Sequence, residues 1–188
     1  MSLTIIIGLG AISCWGRGNE QTNRELFMFF FESNEIYFVL ENVRSAYNVG
    51  SIFRTSDAFI IKKIFLCGIT STPPSNEIRK SALGSTKSVD WEYFKETEKA
   101  IKTLKKEGYY IVGVEQVENA TLLQNFNHEK PIAIIFGHEV HGIDQKIINM
   151  CDEVIEIPQF GTKHSLNISV SAGLVIWTLF KNFIDKKN

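Results

Sequence analysis

Short runs that are apolar almost throughout constrain this chain more than any other feature. IYFVLE (Ile36–Glu41), KIFLC (Lys63–Cys67), YYIVGVE (109–115), PIAIIF (131–136) and residues 154–157 lack the in–out alternation of a strand with one wet face. Strands of that kind are covered on both sides, which in practice means a parallel sheet under two layers of helix. Helical patterns fall between them, around 48–60, 77–83, 96–107 and 144–150, and a last one closes the chain at 165–185. The alternation therefore predicts an α/β fold: a mainly parallel sheet with helices on both faces. It starts at Glu35, so residues 35–188 read as the domain, and residues 1–34 as an N-terminal extension packed on it, with a helix over 25–31.

Fourteen Phe against four Pro and three Cys describe a packed core, and exclude a disulfide scaffold or a disordered chain. Cys14, Cys67 and Cys151 are far apart and form no metal-binding pair, which predicts reduced thiols in a cytoplasmic protein. The opening LTIIIGLGAISCWG has no Lys or Arg before its apolar run, unlike a signal peptide or a lipoprotein leader ending at Cys14. Apolar runs stay well below the roughly 20 residues needed to span a bilayer, so no membrane partner is expected. A net charge of −1 gives no global pull on nucleic acid; any such contact needs a local basic patch.

Ligands of parallel α/β sheets gather beyond the carboxyl ends of the strands, and three glycine-bearing loops compete for that place. GLGAISCWGRG (8–18) contains GxG but has Ser13 at the third glycine of a dinucleotide fingerprint, which weakens a nicotinamide-dependent oxidoreductase reading. FGHEVHG (136–142) ends the PIAIIF strand with a carboxylate, Glu139, at the edge; His138 and His141 do not form the helical HExxH zinc pattern. IPQFGTKHSLNISVSAG (157–173) runs from a strand end through a loop into an apolar helix. Ser165 reads as that helix's N-cap, whereas Asn167, a poor helix former one turn in, needs a specific partner. Ile168, Val170, Leu174, Val175, Ile176, Trp177, Leu179 and Phe180 make the helix apolar nearly all round, suiting a central core helix or half of a subunit interface.

In NVRSAYNVGSIFRTSD (42–57), Ile52, Phe53 and Ser56, with Phe59 and Ile60 beyond, form one buried stripe. The opposite face sets Arg54 among Gly50, Ser51, Asp57 and Ala58, small residues that let something approach the backbone.

These three segments, in this order, resemble the three motifs of the SpoU (TrmH-like) RNA 2′-O-ribose methyltransferases of the SPOUT superfamily. NVRSAYNVGSIFRTSDAF resembles motif 1, IIFGHEVHG the Gly-x-Glu-x-x-Gly of motif 2, and IPQFGTKHSLNISVSAG motif 3 with its Ser-Leu-Asn core at 165–167; IRKSALGST resembles a segment between the first two. The resemblance covers about residues 36–180. It departs at His138, where the family usually has Asn or Ser, and residues 1–34 match no recognition domain.

The resemblance implies S-adenosylmethionine as methyl donor and a ribose 2′-hydroxyl of tRNA or rRNA as acceptor. It also implies a homodimer with the 165–185 helix at or near its interface, and a C-terminal trefoil knot, the SPOUT-type α/β knot, forming the cofactor pocket. Carried onto this sequence, the cofactor would touch Glu115, Gln116, Gly137, Ile157 and Leu166. Arg54 would lead the catalytic set, with Glu139 orienting it by a charge-assisted contact, and Asn48, Ser165 and Asn167 completing the network. Guanidinium does not deprotonate in proteins. The role expected of Arg54 is therefore to fix a phosphate and stabilise the developing oxyanion, the proton leaving to water, a phosphate oxygen, or a neutral histidine such as His138 or His164. Arg44, Lys62, Lys63, Arg79, Lys80, Lys87 and Lys163 are the expected RNA contacts, and the 95–106 lysines a solvated helix face. A catalytically silent RNA-binding relative of the same fold is the alternative, and cofactor binding separates the two.

Overall fold

The structure, a computed structural model, describes Glu25 and residues 35–128, 131–162 and 165–187. The expected extension over 1–34, Glu25 apart, lies outside the described residues, as do Cys14, Lys163 and His164.

The apolar runs are strands at nearly the expected positions: β1 (Ile36–Glu41), β2 (Lys63–Cys67), β4 (Tyr110–Val114), β6 (Ile132–Phe136) and β7 (Glu153–Glu156). Two more, β3 (Asp90–Phe94) and β5 (Thr121–Leu122), complete a seven-stranded sheet of order β3-β2-β1-β6-β4-β7-β5, every pair parallel. Helices α1 (Ala46–Ala58), α2 (Asn76–Ala82), α3 (Thr97–Lys106), α4 (Gln145–Ile148) and α5 (Ile168–Lys187) connect and cover it.

Because successive residues of a strand point to opposite faces, each buried strand feeds two cores. Phe38, Leu40, Ile64, Leu66, Ile134 and Phe136 pack with Ile52 and Phe53 of α1 and with Val175, Ile176 and Leu179 of α5. Val39, Phe65, Ala133 and Ile135 pack on the other side with Ala100, Ile101 and Leu104 of α3 and Ile147 of α4. Helices on both faces are what the uninterrupted apolar runs require. Burial pushes the Cys67 and Cys151 thiols up to about 12, so both stay protonated at neutral pH.

Two helix details depart from the expected pattern. Gly50 does not lie on an open face. A Cβ there would come within 2.6 Å of the Ile78 carbonyl oxygen, so the small residue serves the close crossing of α1 and α2. The final helix begins at Ile168, three residues later than expected. Its cap is Asn167, whose Oδ1 accepts from the Ser169 N–H at 2.9 Å, and Ser165 stays in the preceding loop.

Candidate active site

The carboxyl ends of β4, β6 and β7 converge on a cavity of about 260 Å³, near the lower end of the roughly 300–1,000 Å³ of small-molecule sites. Val114, Phe136, Ile157, Leu166 and Ile168 give it apolar walls; Glu115, Gln116, Gly137, Glu139, Gln159, Ser165 and Ser171 add polar groups and backbone. All five positions expected to hold a cofactor therefore meet in one place, with Ser165 and Glu139 on the same lining.

One wall is a tight turn after β6. His138 and Gly142 exchange two backbone hydrogen bonds of 2.9 Å, and Gly142 sits at φ 68°, in the left-handed region. Gly137 lies directly against Gly142 and the Ile143 nitrogen, leaving no room for a side chain. The Glu115 carboxylate braces the turn from β4, accepting from the Ile143 N–H at 2.8 Å and from the Gln116 N–H at 2.9 Å. Beneath it, Glu41 is buried at the end of β1 and accepts from the Asp144 N–H at 3.1 Å. Burial raises the Glu41 carboxyl to about 7, more than the Asp144 N–H lowers it.

The turn aims Glu139 at the start of α1. Its Oε1 accepts from the Ser45 N–H at 2.9 Å and from Asn48 Nδ2 at 3.2 Å, and its Oε2 from the Arg44 N–H at 3.1 Å. An anion on unpaired N–H groups at a helix N-terminus is a favoured arrangement. Burial alone would raise this carboxyl, but the bonds from Ser45, its own N–H, Arg44 and Asn48 outweigh it and hold the group below the usual carboxylate range. Asn48 then turns its oxygen to Asn167, whose Nδ2 donates at 3.1 Å. One hydrogen-bonded seam, Glu139–Asn48–Asn167, thus ties the turn after β6, the start of α1 and the cap of α5 together at the cavity rim.

Family comparison spans the same three segments. The SpoU rRNA Methylase family matches residues 35–177, most of the chain. The chain belongs to that family.

A protein of the TrmH family of tRNA/rRNA methyltransferases from Staphylococcus saprophyticus is 31% identical over 151 residues, covering 79% of this chain and 60% of the relative. The chain thus spans less than two thirds of that relative's length. Among solved structures, an AdoMet-bound rRNA methyltransferase from Sinorhizobium meliloti shares 26% identity, with a TM-score of 0.75 over 80% of this chain and 57% of the other. A TrmH/SpoU tRNA-modifying enzyme from A. aeolicus has the same fold, at 22% identity and a TM-score of 0.74 over 89% of this chain and 85% of that one.

Against the SpoU motif pattern, two expectations need correction. Glu139 does not orient the Arg54 of its own chain: it sits at the N-terminus of α1, whereas Arg54 lies nine residues beyond Ser45, about 13 Å along the helix axis. Arg54 does not pair with Asp57 either. Asp57 accepts from the Ser88 hydroxyl, and the exposed Arg54 guanidinium makes no hydrogen bond or ion pair among the described residues. Finally, His138 Nδ1 accepts from the Val140 and His141 N–H groups at 3.0 and 3.4 Å. Its lone pair is spent inside the turn, in the local acceptor role that Asn or Ser side chains fill, and is not free to take a substrate proton.

The expected RNA contacts separate by position. Arg44 borders a depression beside the turn, and Arg79 and Lys87 border another by α2, where Lys80 is also exposed. Lys62 and Lys63 lie at the amino end of β2, opposite the cavity, and Lys63 is paired with Glu92 at 2.6 Å. Sequence reasoning missed Ser45 and the Arg44 backbone as the groups that receive Glu139, the buried Glu41, and Gln159 and Ser171 in the lining. A capping Ser three residues before Asn48 was the one legible signal among them.

Among the described residues, no helix is long and apolar enough to cross a membrane.

Proposed function

We propose that this chain is an S-adenosylmethionine-dependent RNA methyltransferase acting on a ribose 2′-hydroxyl of tRNA or rRNA in the cytoplasm. The observation that carries this reading is the Glu139–Asn48–Asn167 seam on the rim of the cavity, since it assembles the three family motifs into one site.

The lining fits the cofactor. Apolar walls from Ile157, Leu166 and Ile168 suit an adenine face, the turn backbone can hydrogen-bond its edge, and the carboxylates of Glu115 and Glu139 suit a molecule that carries a sulfonium cation. No cradle of lysines for a pyrophosphate is present among the described lining residues. Bound there, S-adenosylmethionine supplies an electrophilic methyl group.

The chain's residues supply position. Glu139 and Asn48 fix the start of α1 against the turn, and Asn167 fixes α5 against both, so the acceptor meets a preorganised rim. Arg54 is held ready for RNA: exposed, and unpaired among the described residues, it can take a phosphate and stabilise negative charge on the acceptor oxygen. The hydroxyl proton leaves to water or a phosphate oxygen.

Arg54 does not line the cavity of its own chain, which favours a homodimer that carries it to a neighbouring acceptor. The face of α5 supports this: Val170, Leu174 and Trp177 follow helical spacing and are 50%, 41% and 45% exposed. The C-terminal trefoil knot belongs to the same proposal. Its support is the insertion of β7 between β4 and β5, with α5 then returning to pack beside α1.

Incubation with methyl-labelled S-adenosylmethionine and unmodified tRNA or ribosomal RNA tests the reading. Label in one RNA, resistant to alkaline cleavage at that nucleotide and lost in Arg54→Ala, is the expected result. Label absent from both RNAs, together with no cofactor binding, would overturn it in favour of a silent RNA-binding relative.

A further inference from the structure

The carboxyl edge of the sheet carries more open surface than the cofactor cavity uses. A second depression, bordered by Arg44 and Ile69, shares His138, His141 and Gly142 with that cavity. Ile69 in turn borders a third, of about 410 Å³, whose other walls include Thr72, Trp91 and Tyr93. The row runs from β6 across β1 and β2 to β3, three inter-strand spacings or about 14 Å.

In the third depression, exposed apolar and aromatic side chains stand beside Gly68, Thr70 and Thr72. Ile69 is 63% exposed and Tyr93 47%. Trp91 and Tyr93 are two apart on β3 and so share a face. The Tyr93 hydroxyl donates to the Gly68 carbonyl at 3.0 Å, which fixes the ring beside the loop. Arg44, whose carbonyl accepts from the Ser71 hydroxyl at 3.0 Å, borders one adjoining depression, and Arg79 and Lys87 border another that opens past Thr72 and Pro73. Aromatic surface beside cations is the chemistry that receives single-stranded RNA, bases on rings and phosphates on guanidinium or ammonium groups.

We propose that the Ile69–Trp91–Tyr93 depression is a subsite for an unpaired nucleobase flanking the methylated nucleotide, so that the substrate is a single-stranded loop laid along the carboxyl edge of the sheet. The inference rests on the RNA methyltransferase reading above. It makes Tyr93 a specificity-determining residue outside the three motifs, and β3 a recognition element as well as a sheet edge.

Binding of a fluorescein-labelled stem–loop RNA, and of the same stem closed into an uninterrupted duplex, tests it without requiring turnover. Tyr93→Ala should weaken stem–loop binding about tenfold, the scale of one lost base–aromatic stack, while duplex and S-adenosylmethionine affinities stay unchanged. Tyr93→Phe, which keeps the ring and drops only the hydroxyl, should bind like wild type. Unchanged stem–loop affinity in Tyr93→Ala, or equal loss for both RNAs, would overturn the subsite and leave the enzyme reading standing. A wild-type protein that binds neither RNA would overturn both.

Discussion

Asn167 Nδ2 donates to Asn48 Oδ1 at 3.1 Å, across 119 residues of sequence. Each asparagine has a second duty: Asn48 Nδ2 reaches Glu139, and Asn167 Oδ1 caps α5 through Ser169. An amide suits both positions because it donates and accepts at once. A carboxylate in either place could not donate, and a serine hydroxyl, which can do both, is too short to keep both links. The bonds are short-range and local, yet they join strand-end, helix-start and helix-cap segments that fold far apart in sequence.

Glycine at two helical positions should respond oppositely to alanine. Gly50→Ala puts a Cβ against the α2 backbone at Ile78, and overpacking of that kind costs about 2 kcal/mol even after the gain in helix propensity. Gly173→Ala, inside α5, meets nothing within 4 Å and should stabilise by up to about 1 kcal/mol. Urea denaturation of the two variants checks the pair.

Glu41 makes stability depend on pH. Its carboxyl titrates at about 7 when folded, against an ordinary 4.5. Below 4.5 it is protonated in both states. Between the two values the folded chain keeps a proton that the unfolded chain has released, so stability falls by about 1.4 kcal/mol per pH unit as pH rises; above 7 the term is constant. Glu41→Gln keeps an oxygen for the Asp144 N–H and removes the titration. Relative to this variant, wild type should lose about 3 kcal/mol of unfolding free energy between pH 4.5 and 8. A constant difference across that range would contradict the assignment.

The exposed stripe on α5 predicts the state of assembly. Trp177→Glu places a charge beside Val170 and Leu174, and burying it against a partner would cost desolvation that opposes dimer formation. Sedimentation should show wild type as a dimer and the variant as a folded monomer. A wild type that sediments as a monomer would remove the proposed route for Arg54.

Buried strands were legible because they read as apolar runs, and β1, β2 and β6 lie where those runs lie. β3 was not: DWEYF is an edge strand whose acids face solvent, so it lacks the signal that marks its neighbours. The cavity lining followed from resemblance, since nothing in periodicity brings Glu115, Gly137 and Leu166 together. The Glu139–Arg54 contact was a reading of opposite charges without distance; α1 separates them, and backbone N–H groups, silent in any sequence pattern, take the carboxylate. Gly50 likewise reads as open in the sequence, where nothing marks the crossing of α2 over it. Ser165 has the residue type of a cap, but the helix begins three residues after that serine, and Asn167 caps it.

A double-mutant cycle on Asn48 and Asn167 tests most directly whether the three motifs act as one site. Asn48→Ala removes both links of the seam at that residue. Asn167→Ser keeps a helix cap while losing the reach to Asn48. If the seam organises methyl transfer, each single change should lower kcat/KM for RNA by about tenfold or more, and the double variant should fall little further than the worse single. Losses that multiply would show that the two asparagines act independently, and would contradict the account.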